Sequence, residues 1–479
     1  MPSQTNLPIS TLQDYTTQRR AHWDKAAAGQ LSQSIFSRAY RRRLAEVYSL
    51  LISPGQRVLE IGCGLGNLLA ATRPAFGMGI DFSPEMIRQA RQRHPDLDFR
   101  EAEAHTLELD ETFDAILLSD LVNDLWDVQT ALEKLRPLCT PSTRIVINLH
   151  SRLHQPALGL ASALGQANRT LPQNWLTPED LENLLYLAGF EVIKHQKEIL
   201  LPLPLVGGFF NKFLAKLPFF DSLTWTNLLV ARPQAQPAKQ APVVSVVIPA
   251  RNEAGNIEAV FSRLPRMGRE TEIVFVEGHS KDDTYETIQK AIVAHPEWKC
   301  QLHKQPGKGK ADAVRVGYAH AKGEVLMILD ADLTVRPEDL PRFYEALVGG
   351  KGEFINGVRL VYPMQEQAMR FLNLLGNKFF SIAFSWLLGQ PLKDTLCGTK
   401  VLYRKDYERI AANRSYFGEF DPFGDYDLIF GAAKQNLKIV DLPIRYQERT
   451  YGATNIDRWR HGMLLIRMVA FAAFRLKFI

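Results

Sequence analysis

Short apolar runs that end in glycine or acidic residues, each followed by a stretch with helical spacing, recur along this chain. Val325–Leu329 runs straight into Asp330 and Asp332. A run of this kind suits a strand buried on both faces of a parallel sheet, and because unpaired carboxylates are costly to bury, the two aspartates mark its end. Arg57–Ile61, Gly77–Ile80, Phe113–Leu118 and Arg144–Asn148 read as strands in the first half, and Val243–Ile248 and Glu272–Val276 in the second. Tyr40, Leu44, Val47 and Leu51 fall at helical spacing, and Pro54-Gly55 breaks that helix. The pattern predicts an α/β protein.

The chain has 479 residues, too many for one typical core, which makes two domains the natural expectation. Residues 233–242 are rich in Pro, Ala and Gln and poor in large apolar side chains, as a linker is. The expected division is a first domain over 1–232, a linker over 233–242 and a second domain over 243–479.

In the first domain, a strand ends in Gly62-Cys63-Gly64-Leu65-Gly66 and a helix follows. Glycines at such a turn admit a ligand close to the backbone, and the helix N-terminus favours an anionic group. The next strand ends in Asp81, an acid placed to accept hydrogen bonds from ribose hydroxyls. The ordered set VLEIGCGLG, GIDFSPEMI, REAEAH, FDAILLSD and LAGFEVI resembles the class I S-adenosylmethionine-dependent methyltransferases, with a Rossmann-like fold. The resemblance implies S-adenosylmethionine as cofactor. Glu60, Gly62, Gly64 and Gly66 would line its methionine part, Asp81 would hold the ribose, Phe82 would flank the adenine, and Glu101 with Ala102 would meet the adenine edge. Methyl transfer can proceed largely by positioning, so a base is optional. Asp120, Asp124, His150 and His154 lie in the region where an acceptor would bind, each equally readable as a loop cap.

The aspartate pair of the second domain suits Mg2+ or Mn2+ shared with a diphosphate. VSVVIPARNEAGNI, VEGHSKDDT and GKGKADAVRVGYAHAKGEVLMILDADLT together resemble the family 2 glycosyltransferases of the GT-A fold. The resemblance makes Asp332 the primary metal ligand and turns Asp330 towards metal or ribose. Pro249, Arg251, Glu253 and Glu277 would face the nucleotide-sugar donor. Three later motifs, containing Arg359, Lys400 and Arg449, look like those of the dolichyl- and polyprenyl-phosphate glycosyltransferases, and imply that these basic residues hold acceptor phosphate. Asn455 stands where that group commonly has Lys. An ionised lipid phosphate needs little help from a base. For a hydroxyl acceptor, on an envelope or secondary-metabolite glycan, Asp425 or Asp427 is the expected base, with helix capping as the competing role.

Charge and composition add the surroundings. The net charge of +5 is too modest to argue for nucleic acid, but Arg445–Ile479 alone holds seven Lys/Arg against two acids. Together with the apolar stretch Gln367–Leu388, that end is expected to lie on a membrane surface, drawn by anionic lipid, with an intramolecular or homo-oligomer contact as the other reading. The segment Leu200–Phe220 is also apolar, and suits either a membrane surface or the edge of its own domain. Four scattered cysteines suit a reducing compartment, and the first residues lack the pattern of a secretory signal. The expectation is a bifunctional enzyme, peripheral on the inner face of the cytoplasmic membrane. A domain that is catalytically silent and serves as a binding module is the alternative from another class.

Overall fold

A computed structural model of the protein describes residues 11–29, 35–151, 154, 171–174, 176–203, 207–359, 361–362, 371–414, 426–449, 451 and 458–478. The chain forms two compact units, Met1–Gln234 with Phe478–Ile479, and Ala235–Lys477. Both are mixed α/β sheets covered by helices.

The first unit is built on β1 (Arg57–Ile61), β2 (Phe76–Asp81), β3 (Asp98–Glu101), β4 (Phe113–Ser119), β5 (Cys139–His150), β6 (Phe190–Glu198) and β7 (Thr226–Pro233). Their order is β3-β2-β1-β4-β5-β7-β6, parallel except for β7, which runs antiparallel to both neighbours. Successive side chains alternate between faces, so each strand feeds two cores. Leu59, Ile61, Ile116 and Leu118 pack with Leu181 and Leu185 of the helix Pro178–Leu187. Val58, Ala115, Leu117 and Val146 pack with Leu44, Val47 and Tyr48 of the helix Ile35–Leu51. The crossover from β1 to β2 on one side and to β4 on the other opens a crevice at their carboxyl ends, where open α/β sheets bind ligands.

The second unit uses β8 (Val243–Ala250), β9 (Glu270–Glu277), β10 (Lys299–Lys304), β11 (Val325–Ile328), β12 (Phe354–Val358), β13 (Lys400–Tyr403) and β14 (Ile439–Pro443), in the order β10-β9-β8-β11-β13-β12-β14. β8 to β11 are parallel, and β13 runs against β11 and β12. Val325 to Leu329 are fully buried, as an apolar run entering a doubly covered sheet requires. The crevice here lies beyond β8 and β11, so the chain after Ala250 and after Ile328 meets at one place.

Pro233 ends β7, paired with Phe190, and residues 234–242 have no regular secondary structure. Gln234 N–H donates to Gly189 in the first unit and Ala238 N–H to Val348 in the second. The helices Phe371–Leu388 and Arg458–Ala472 pack against each other and leave Phe379, Ile382, Met463 and Ile466 exposed. Among the described residues no helix is long and apolar enough to cross a membrane.

Candidate functional sites

The glycine turn of the first unit leaves β1 with Gly62 and Cys63 N–H both donating to Ile80 O, at 2.8 and 2.9 Å. Gly66, at φ 73°, starts the helix Asn67–Ala71, and a Cβ there would overlap the ring of Phe99. Only glycine suits that position, on conformation and on space. Glu60, 2% exposed, accepts from Leu69 N–H at 3.0 Å, and burial pushes its carboxyl up to about 8. Asp81 accepts from Gly64 N–H and Ser83 N–H, each at 2.9 Å; burial nevertheless raises its carboxyl to about 6. Each Asp81 oxygen keeps acceptor capacity for a ribose hydroxyl. Half-buried Phe82 follows directly. Glu101 pairs with Asp81 across the β2–β3 ladder, and Ala102 N–H donates to Asp81 O at 3.1 Å. The eight residues expected to hold the cofactor thus lie at or just beyond the carboxyl ends of β1, β2 and β3.

The four acceptor-side candidates part company. Asp124 is held by Arg19 and by Trp23 Nε1 at 2.9 Å, which ties the helix Leu12–Ala27 to the loop after β4. His154 stacks on Trp225 at 4.3 Å. Asp120, at φ 54°, instead gathers Tyr40 Oη at 2.9 Å, Asn148 Nδ2, and His150 Nε2 at 3.5 Å.

In the second unit the loops after β8 and β9 are laced together. Asn252, at φ 57°, donates its N–H to Ser280 Oγ at 3.0 Å and accepts from Lys281 N–H at 2.7 Å, and Glu253 N–H donates to Thr284 Oγ1 at 3.0 Å. Pro249 lies within β8, Arg251 is exposed just beyond it, and buried Glu277 ends β9 accepting from Ser280 N–H. Asp332 accepts from Thr334 N–H and Oγ1 at 3.1 and 2.8 Å. Arg449 spans two acids, 2.5 Å from Asp332 Oδ2 and 3.2 Å from Glu253 Oε1. Burial raises Glu253 to about 7; Arg449 opposes that rise, and Asp332 and Asp330 add to it. Asp330 lies 2.5 Å from Lys310 Nζ, at the start of the helix Lys310–His320.

Two of the residues expected to hold phosphate have protein partners. The Arg359 guanidinium grips Asp394 at 2.7 and 2.9 Å, with Asp394 1% exposed. Burial opposes both charges, yet their pairing holds Asp394 below the usual carboxylate range and Arg359 above its own. Lys400 is fully buried and donates to Cys397 O. Asp427 is engaged by Arg414 at 2.9 Å. Asp425 and Asn455 lie outside the described residues.

The motif reading passed over Lys310 and Gly398. A Cβ on Gly398 would overlap Asp330 Oδ2 and Lys310 Nζ, so the bare backbone of the loop before β13 makes room for that pair. Lys310 lies in the stretch GKGKADAVRVGYAHAKGEVLMILDADLT and Gly398 two residues before Lys400, but neither carries a recognisable role until the fold brings them together.

Both units thus gather acidic residues at the carboxyl ends of their central parallel strands. Residues 33–195 match the family model described as a methyltransferase domain, and residues 245–410 match glycosyl transferase family 2. The chain therefore joins a Rossmann-like methyltransferase domain to a family 2 glycosyltransferase domain of the GT-A fold. It is 38% identical to a dolichol-phosphate mannosyltransferase of Pyrococcus furiosus, over 44% of this chain and 59% of the relative. It is 29% identical to glycosyltransferase AglJ of Haloferax volcanii, over 46% and 69%. It is 31% identical to an undecaprenyl-phosphate 4-deoxy-4-formamido-L-arabinose transferase of Klebsiella pneumoniae, over 47% and 66%. The chain thus spans 59% to 69% of the length of these relatives.

Proposed function

We propose that the second domain transfers a sugar from a nucleotide-sugar to a polyprenyl-type lipid phosphate, and that the first transfers methyl groups from S-adenosylmethionine. The observation that carries the first part is the charge arrangement beyond β8 and β11. Arg449 bridges Asp332 and Glu253 there, Asp330 and Asp332 add to the negative charge around Glu253, and Lys310 pairs with Asp330. Mg2+ is commonly held by one or two carboxylates plus substrate phosphate, so Asp332, with Asp330, fits Mg2+ or Mn2+ shared with a diphosphate. Such an ion stabilises the charge that develops on a diphosphate leaving group. Lys310 and Arg449 are placed to meet phosphate oxygens once the ion takes over their acids. The loop with Pro249, Arg251, Glu253 and Glu277 would hold the nucleotide. The names of the relatives support a lipid-phosphate acceptor, whose ionised oxygen attacks the anomeric carbon without a strong base.

The first domain fits S-adenosylmethionine: a positive-φ glycine turn that a Cβ would obstruct, a buried Glu60 at its edge and a buried Asp81 with spare acceptor capacity. The exposed apolar side chains of the helices Phe371–Leu388 and Arg458–Ala472 support a peripheral seat on the inner face of the cytoplasmic membrane.

The test offers membranes containing the wild-type protein or Asp332→Ala a panel of radiolabelled UDP- and GDP-sugars with Mg2+ or Mn2+. The expected result is organic-phase label, released by mild acid and lost with Asp332→Ala. Acid-stable label in water-soluble glycan would replace the lipid phosphate by a hydroxyl acceptor.

A further inference from the structure

We propose that Asp120 and His150 form an acid–base pair that methylates a hydroxyl group, with His150 as the catalytic base and Asp120 and Tyr40 as positioning residues. This rests on the reading of the first domain as a methyltransferase and adds the class of its acceptor.

The pair sits where the methyl group is delivered. Asp120 follows β4 directly, and β4 adjoins β1, so the loop after β4 abuts the glycine turn. The side chain of Leu121 lies 2.9 Å from where a Cβ on Gly62 would stand. His150 ends the neighbouring strand β5 and reaches back to Asp120, Nε2 to Oδ1 3.5 Å. A catalytic hydrogen bond is often this long before substrate binds.

The surroundings fix which ring nitrogen is free. Asp120 faces Nε2 and favours the proton there. That leaves Nδ1 as a lone-pair acceptor; Nδ1 is buried and has no hydrogen-bond partner among the described residues. A buried polar atom without a partner is costly, and a substrate hydroxyl would satisfy it. The side chain of His150 is 31% exposed although Nδ1 itself is covered, so a substrate meets the open edge of the ring first and must displace what covers Nδ1 to reach it.

Asp120 is held for this task. Its Oδ1 accepts from Tyr40 Oη at 2.9 Å and from Asn148 Nδ2, while Asn148 Oδ1 accepts from Tyr48 Oη at 2.7 Å. Burial keeps both tyrosines protonated, well above their ordinary range, so both remain donors. The carboxylate is thus fixed in place by donors on two sides. The titratable groups around His150 are Asp120 after β4, Tyr40 from the helix Ile35–Leu51, and His154 just beyond β5.

In the step, His150 Nδ1 takes the hydroxyl proton as the acceptor oxygen bonds to the methyl carbon of the donor. The methyl–sulfur bond breaks and its electron pair stays on sulfur, which loses its positive charge. The products are a methyl ether, S-adenosylhomocysteine and a proton, which His150 returns to water. Asp120 stabilises the imidazolium between the two transfers.

The experiment uses the full-length protein. S-Adenosylmethionine binding is measured by calorimetry for wild type, His150→Gln, His150→Ala and Asp120→Asn. Radiolabelled methyl transfer is then followed into membranes of cells expressing the protein. The expected result is binding within about threefold of wild type in every variant, and transfer reduced roughly 10²-fold or more in His150→Gln. Added imidazole should partly rescue His150→Ala. The pH profile of transfer should differ between wild type and His150→Gln. The labelled methyl should survive mild alkali, as an ether does. Label released by alkali as methanol, label on nitrogen, or full activity in His150→Gln overturns the proposal. So does a wild-type protein that binds the donor and transfers nothing. A wild-type protein that does not bind S-adenosylmethionine fails one step earlier, and removes the methyltransferase reading on which the pair depends.

Discussion

Arg449 lies between Asp332 and Glu253, with one guanidinium nitrogen on each acid. In this arrangement the arginine neutralises both carboxylates. A divalent ion bound as proposed would compete with the arginine for Asp332 and free Arg449 for phosphate. Arg449→Ala is expected to bind Mn2+ several-fold more tightly than wild type in the absence of nucleotide. It should nevertheless lose transfer by roughly 10²-fold, as when a positioned charge that stabilises a leaving group is removed. Titration of Mn2+ by electron paramagnetic resonance reads the first effect. Unchanged or weaker Mn2+ binding would show that Arg449 does not stand in for the metal.

Glu253 supplies a pH dependence to the same site. Its carboxyl is raised to about 7, chiefly by burial, so near neutrality much of it carries a proton. A divalent ion favours the ionised form. Mn2+ affinity should therefore climb as pH rises from 6 to 8 and level off above that, with protons released on binding below pH 7. Glu253→Gln should flatten the curve, and an equal slope in both proteins would remove Glu253 from the ion's surroundings.

Gly398 controls Asp330 by what it lacks. A methyl group there would enter the space of Asp330 Oδ2 and Lys310 Nζ. Gly398→Ala is expected to displace the pair and depress sugar transfer by about 10²-fold, an effect typical of a small misplacement of catalytic groups. Thermal unfolding should shift little, because the displaced groups are partly exposed. Retained transfer would mean that the Asp330–Lys310 pair can move without consequence.

Residues that announce themselves by local pattern were legible in the sequence, and residues defined by distant partners were not. The run Val325–Leu329 and the turn Gly62–Gly66 carry their signals in consecutive positions, because burial on both faces and tight backbone geometry are local demands. Lys310 meets Asp330, and Gly398 meets both, only after β13 has been inserted beside β11. Arg359 and Lys400 show the converse: a basic residue in a familiar motif reads as a phosphate ligand. Whether it faces a ligand or a buried acid depends on Asp394, 35 residues away from Arg359.

The Arg359–Asp394 pair yields a test of that distinction. Removing one member of a buried, bidentate ion pair strands the other charge and typically costs about 3–5 kcal/mol. Arg359→Ala should therefore lower the unfolding free energy of the second domain by an amount of that order in urea. Arg359→Met with Asp394→Leu should recover much of the loss, because no charge is left buried alone. If Arg359→Ala leaves stability intact and weakens only the acceptor's KM, the phosphate role expected from the motif is the right one.

Glu60 gives the first domain a stability that depends on pH in an unusual direction for a carboxylic acid. In the folded chain it keeps its proton up to about 8, against 4.5 ordinarily, because burial penalises the charge. Between those values the native state binds more protons than the unfolded one, so stability is full below pH 4.5 and falls as pH rises to about 8. Asp81, raised to about 6, acts in the same sense between 3.8 and 6. Glu60→Gln keeps an acceptor for Leu69 N–H and removes the titration. The melting temperature of the first domain should decline from pH 5 to 8 in wild type and less steeply in the variant. If S-adenosylmethionine binds as proposed, with its ammonium beside Glu60, the balance reverses, since a cation there favours the ionised form. Calorimetry in buffers of different ionisation enthalpy at pH 7 should then show a proton released on binding by wild type that is absent in Glu60→Gln. Equal proton release by both would place the donor's ammonium away from Glu60.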